Sequence, residues 1–101
     1  MADTERKTVI EYTRLALLGD GKSALVLGYR IELTDVEYEI IKTLLDSGKA
    51  MHKAEISALI GVGAGSLPVH IANINKKALP ITKRKLIEGN RRGEYKISEN
   101  V

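Results

Sequence analysis

Cysteine is missing from this 101-residue chain, and so are phenylalanine and tryptophan. Without cysteine there is no disulfide, no thiolate metal site and no cysteine nucleophile, a composition that fits a reducing compartment. Without Phe or Trp, and with Tyr38 assigned below to a helix start, an aromatic platform for single-stranded nucleic acid is not expected. Long apolar runs are lacking too: LALL (15–18) and ALVL (24–27) fall far short of the roughly 18 residues that cross a bilayer. The polar opening MADTERK carries no signal-peptide pattern, so the expectation is a cytoplasmic protein with no membrane partner. Acidic residues are scattered with no pair set for acid/base work, and His52 and His70 fall on different predicted helices with no cysteine to join them. The sequence therefore points away from an enzyme, a small-molecule substrate, a metal or a cofactor.

Two glycine-containing stretches invite a phosphate-binding reading and do not sustain it. DGKS (20–23) ends like a P-loop, but the required earlier glycine falls at Ala16 and no helical pattern follows the lysine. GVGAG (61–65) lacks the preceding strand and the spacing of a dinucleotide fingerprint, and reads as a connector.

What is present is enough apolar content, 44% of residues, for one core in a chain too short for two. After a polar leader (1–7), residues 8–101 are expected to form a single domain. TVIEYTRLALL (8–18) is rich in β-formers, GDGK (19–22) reads as a turn, SALVL (23–27) as a strand, Gly28 and Tyr29 as a turn, and RIEL (30–33) as a strand with Ile31 and Leu33 on one face. This is an N-terminal antiparallel sheet.

Helical spacing takes over at LTDVEYEIIKTLLDSG (33–48). Thr34 and Glu37 have the spacing of a capping box, Leu33 and Tyr38 flank it as a staple, and Ile40, Ile41, Leu44 and Leu45 form the apolar face up to a stop at Gly48. HKAEISALI (52–60) predicts a second helix with Ile56, Leu59 and Ile60 inward and His52 at its start. A third is predicted over 66–79, N-capped by Ser66 with Pro68 in its first turn. At about 100° per residue, Leu67, Ile71, Ile74 and Ala78 line one side, and Ser66, Val69, His70, Asn73, Lys76 and Lys77 the other.

The charge is polarised. Residues 1–65 hold eight Lys/Arg against ten Asp/Glu, whereas residues 66–101 hold eight against three, including Lys83 and Arg84 after the third helix. A basic pole of this kind suits a polyanion. It ends in KLIEGNRRGEYKI (85–97), whose alternating flanks and Gly89, Asn90 and Gly93 predict a β-hairpin with Leu86, Tyr95 and Ile97 inward and Arg91 and Arg92 at its tip. Helix, helix, polar-faced helix and basic-tipped hairpin is the order of a winged helix-turn-helix, an α+β fold.

Three pieces in that order carry a family resemblance. LTDVEYEIIKTLL (33–45) resembles the LT-x-x-E-[FY]-x-[LI]-[LI] helix start of the OmpR/PhoB-type response-regulator effector domain. VHIANINKKAL (69–79) resembles its recognition helix, and RRGEYKI (91–97) its wing. The resemblance covers roughly residues 23–97. It implies sequence-specific binding of double-stranded DNA in transcription regulation, with the third helix in the major groove and the hairpin on the backbone or minor groove. Its site would comprise Ser66, Val69, His70, Asn73, Lys76 and Lys77 on the helix, Lys83 and Arg84 after it, and Arg91 and Arg92 on the wing. RNA polymerase and a second copy of the chain are the further partners it admits.

The sequence departs from the family at Asn73 and Asn75, where arginines are common, at Glu94, which replaces a wing glycine, and in the uncharged GVGAG loop. No receiver domain precedes residue 1, so the expectation is either a domain cut from a longer protein or a free-standing regulator not controlled by phosphorylation. A winged helix serving as a protein-interaction module without DNA contacts is the alternative reading.

Overall fold

The computed structural model describes residues 15–98 of the chain. Strands β1 (Leu15–Leu17), β2 (Ser23–Val26) and β3 (Tyr29–Glu32) form an antiparallel sheet in that order. Helices α1 (Asp35–Ser47), α2 (Lys53–Ile60) and α3 (Leu67–Thr82) follow. A second antiparallel sheet has the order β4-β6-β5, from β4 (Met51–His52), β5 (Ile87–Gly89) and β6 (Glu94–Ile97). The architecture is α+β with three helices and two small sheets. Of the β-rich stretch 8–18, residues 8–14 lie outside the described residues.

The turn between β1 and β2 is organised by Asp20. Its carboxylate accepts the Lys22 and Ser23 N–H groups and the Ser23 hydroxyl, and Arg30 of β3 reaches it at 3.1 Å. The hydroxyl bond above all, then the backbone donors, holds the Asp20 carboxyl below its ordinary pKa. The next turn is shifted one residue from expectation: Leu27 and Gly28 make it, both at positive φ (51° and 85°), and Tyr29 already pairs with Val26. A two-residue loop with positive φ at both positions matches the strand twist, and the sheet imposes that geometry on Leu27 despite its side chain.

Helix α1 begins as the capping box predicts. Thr34 Oγ1 accepts the Glu37 N–H at 3.2 Å, and Glu37 Oε1 accepts the Thr34 N–H at 2.9 Å. Leu33 is buried and half-buried Tyr38 donates its hydroxyl to the Leu18 carbonyl, tying the helix start to the first sheet. Gly48 ends the helix in the left-handed region at φ 69°.

Two apolar assignments need correction. Leu45 is 38% exposed because the buried positions Glu37, Ile40, Ile41 and Leu44 centre about 90° away from it around the helix. Leu59 is 68% exposed because two-turn α2 turns Ile56 and Ser57 inward, a face about 110° from Leu59. His52 is the N-cap of α2, its Nδ1 accepting the Ala54 N–H, and with Met51 it also forms β4, a strand absent from the sequence reading.

Helix α1 packs on α2, α3 and β6, and α3 packs on β2, β3 and β5, so one core cluster joins both sheets and all three helices. Replacing Thr34 by Ala should lower stability by about 1 kcal/mol through loss of the cap, measured by urea unfolding. An unchanged midpoint would count against that helix start.

Candidate nucleic-acid interface

Helix α3 buries the stripe predicted for it, Leu67, Ile71, Ile74 and Ala78. It runs to Thr82, three residues past the expected end, and the backbone leaves the helix at Lys83 (φ 63°); Pro80 in its last turn has no N–H to offer the Lys76 carbonyl. At its start Ser66 occupies the N-cap position without capping by its side chain. Its backbone is already helical (φ −91°, ψ −15°), and its hydroxyl turns back to donate to the Gly63 carbonyl at 2.9 Å.

The two flanks of α3 are pinned, each by one side chain about 70–90° from the centre of the buried stripe. On one flank Lys77 reaches α1, where its ammonium donates to Glu37 Oε1. Glu37 is 2% exposed, so Lys77 supplies the positive charge that a buried carboxylate requires. On the other flank Asn75 clips the helix to β5: its Nδ2 donates to the Ile87 carbonyl at 3.0 Å, and its Oδ1 accepts the Ile87 N–H at 2.8 Å. Ile87 is 1% exposed. Asn75 therefore satisfies a buried peptide group that, among the described residues, has no strand beside it on that edge of the sheet order β4-β6-β5.

Between the flanks, Val69, Asn73 and Lys76 stand exposed, and the Asn73 and Lys76 side chains have no hydrogen-bond or ion-pair partner among the described residues. Ser66 is exposed beside them and His70 is half-buried towards the Lys77 flank. Lys83, Arg84 and Lys85 form an exposed basic segment between α3 and β5.

The hairpin tip is built by the Asn90 side chain. Asn90 Oδ1 accepts the Arg92 and Glu94 N–H groups, its Nδ2 donates to Glu94 Oε1 at 2.9 Å, and only Gly93 takes positive φ, 80°. Gly89 is required for a different reason: a Cβ there would lie 2.9 Å from the Tyr95 ring. Leu86 is fully buried, with Tyr95 and Ile97 half-buried against the core. Arg91 and Arg92 project into solvent with no side-chain partner among the described residues. Lys53, at the start of α2, donates its N–H to the Gly93 carbonyl at 2.8 Å and lays its stem beside Gly93, adding a third cation near the tip.

Sequence reasoning placed Lys77 on the outward face by helical angle and noted Asn75 only as a departure from the arginine common in the resembled family. A carboxylate at a capping position facing inward, and an asparagine inside a helix where the backbone disfavours it, were the signals for the two bonds. Comparison with protein families and with curated proteins returns no match for this chain.

The two asparagines of α3 should behave oppositely in urea unfolding. Asn75→Ala should cost about 1–3 kcal/mol for each Ile87 backbone group it orphans, whereas Asn73→Ala should change stability by less than about 0.5 kcal/mol. Equal effects would mean that the clip contributes nothing. Lys77→Met should cost about 1–3 kcal/mol by leaving Glu37 without its counter-charge, and the paired change Lys77→Met with Glu37→Gln should recover part of that loss.

Proposed function

We propose that this chain is a winged-helix domain that binds double-stranded DNA sequence-specifically in transcription regulation, as its resemblance to OmpR/PhoB-type effector domains implies. The observation that carries the reading is the pairing of a polar strip on α3 with an arginine tip on the hairpin, both without side-chain partners among the described residues, the two elements being bonded together through Asn75. Duplex DNA rewards this layout: a major groove admits one helix, and phosphates on either side attract cations by releasing counterions.

Roles follow from the surroundings of each side chain. Asn73 carries the donor and acceptor that match adenine N6 and N7, and Val69, 61% exposed one turn earlier, offers an apolar contact for a thymine methyl. Ser66 and His70 flank this pair at the beginning of the helix. Phosphate binding falls to Lys76, Lys83, Arg84, Arg91 and Arg92. Lys77 joins them only by leaving Glu37, so its contribution is mainly to hold α3 in place. RNA polymerase, or a second copy of the chain on an adjacent site, would be partners of the bound state.

The exposed apolar side chains Leu59 and Val69 support the second reading, a protein-interaction module. Salt separates the two readings. Binding to random-sequence duplex, followed by fluorescence anisotropy, should weaken steeply and linearly in log K against log salt for a DNA binder; no measurable binding at low salt would favour the module.

Replacing Arg91 and Arg92 together by Ala should weaken binding to every duplex and make that slope shallower by roughly 1.8, about 0.9 for each phosphate that is no longer neutralised. An unchanged slope would make them ordinary solvated charges. Asn73→Ala should cost roughly 1–3 kcal/mol at one base position of a site selected from a random pool while sparing scrambled DNA. Equal weakening on both duplexes, or none, would remove Asn73 from base reading.

A further inference from the structure

The two sheets treat their free edges differently. On the edge of β5, the outward-facing Ile87 N–H and C=O are occupied by Asn75, so part of that edge is already closed. On β3 the ladder phase is set by the Leu33 N–H bonding the Lys22 carbonyl at 2.7 Å. With Ile31 opposite Ala24 and Tyr29 opposite Val26, the odd-numbered residues bond towards β2. Arg30 and Glu32 therefore direct their N–H and C=O groups away from the sheet, and these have no partner among the described residues.

Edge strands commonly carry charges that repel a second strand. Those of β3 do the reverse. Arg30 and Glu32 have opposite charges and sit symmetrically about Ile31, so a second β3 laid antiparallel with Ile31 facing Ile31 sets each Arg30 opposite the other copy's Glu32. The same register makes these two facing pairs the hydrogen-bonded ones, since their backbone groups already point outward. Arg30 is held at this edge by Asp20, with its side chain still 55% exposed. Tyr29, 66% exposed beside the 44% exposed Leu27, would lie across from Leu33 of the other copy and lose solvent.

We propose that the β3 edge is a self-association surface, through which two copies of this chain join their N-terminal sheets into one continuous antiparallel sheet about a two-fold axis at Ile31. The inference does not depend on DNA binding, and its test contains no DNA. The interface is short, so the association belongs to the weak, concentration-dependent class.

Sedimentation equilibrium of the full chain should show the mass rising from one chain towards two as the concentration approaches the order of 1 mM. Arg30→Glu places like charges opposite each other in both pairs, and so does Glu32→Arg. Each alone should weaken association by roughly tenfold or more. Mixed in equal amounts, the two variants are complementary and should form the mixed dimer. The double variant, with both changes in one chain, is again self-complementary and should dimerise as the natural protein does, which also distinguishes a charge effect from a folding defect. In the natural protein, amide exchange at Arg30 and Glu32 should slow with increasing concentration while Ile31, already bonded to β2, is unaffected. The proposal is overturned if the natural protein remains a single chain throughout, if either single variant associates as well as it does, or if neither mixing nor the double change restores association.

Discussion

The Glu37 carboxylate is the point on which the arrangement of helices turns. It is almost completely removed from water, yet it lies in the first turn of α1, where a negative charge is favoured by the helix dipole and by the free backbone donors. One oxygen, Oε1, accepts both the Thr34 N–H that closes the capping box and the Lys77 ammonium from α3. A single acceptor thus fixes where α1 begins and how α3 is rotated against it. A buried pair of this kind gives little net stability against an apolar equivalent, because both ions lose hydration. What it supplies is geometry: apolar contacts tolerate rotation of a helix by a fraction of a turn, whereas a carboxylate without its counter-charge does not.

Asn75 completes that constraint from the other side. With Lys77 bonded to α1 and Asn75 bonded to β5, α3 can neither roll nor shift along its stripe without orphaning a buried polar group. The outward strip of Val69, Asn73 and Lys76 and the arginine tip are consequently held in one fixed relation, the hairpin being further tied to α2 through the bond from Lys53 to Gly93. A surface that reads a rigid partner needs this preorganisation, since any loop or helix ordered only on binding would subtract from affinity.

Much of this was legible because it depends on local patterns. The capping box, the Gly48 stop, the inward stripe of α3 and the hairpin around residues 90–93 each announce themselves within a few residues, through spacing or turn chemistry. The failures share a cause in tertiary context. Leu45 and Leu59 are apolar and near the helical face, but which side of α1 and α2 meets the core is decided by partners far away in sequence. β4 is two residues long and exists because β6 lies alongside it, so no periodicity could mark it. Gly89 looked like a turn residue, whereas its use is to admit the Tyr95 ring. In the candidate site the exposed residues of α3 were recognisable from helical angle alone; the two that bond elsewhere, Asn75 and Lys77, required a view of what stands opposite them.

Those two bonds also redistribute the charge that the sequence placed in its last third. Lys77 is neutralised by Glu37, which removes one cation from the end of α3 and leaves Lys76 as the exposed lysine on that helix. Among the described residues of the last third, the other exposed cations lie off the helix, in the 83–85 segment that follows it and at the tip with Arg91 and Arg92, beside which Lys53 stands. Residues 67–75 of α3 thus carry no Lys, Arg, Asp or Glu, and the exposed cations begin at Lys76. For a rod of phosphates this separation is useful, because a cation at the centre of a groove-facing helix attracts any sequence equally, while a neutral amide such as Asn73 discriminates by hydrogen-bond pattern. On the proposed DNA-binding reading, asparagines at 73 and 75, where the resembled family commonly has arginines, are compatible with a DNA surface. On that reading, non-specific attraction falls to the cations around Asn73 and base discrimination to its uncharged amide.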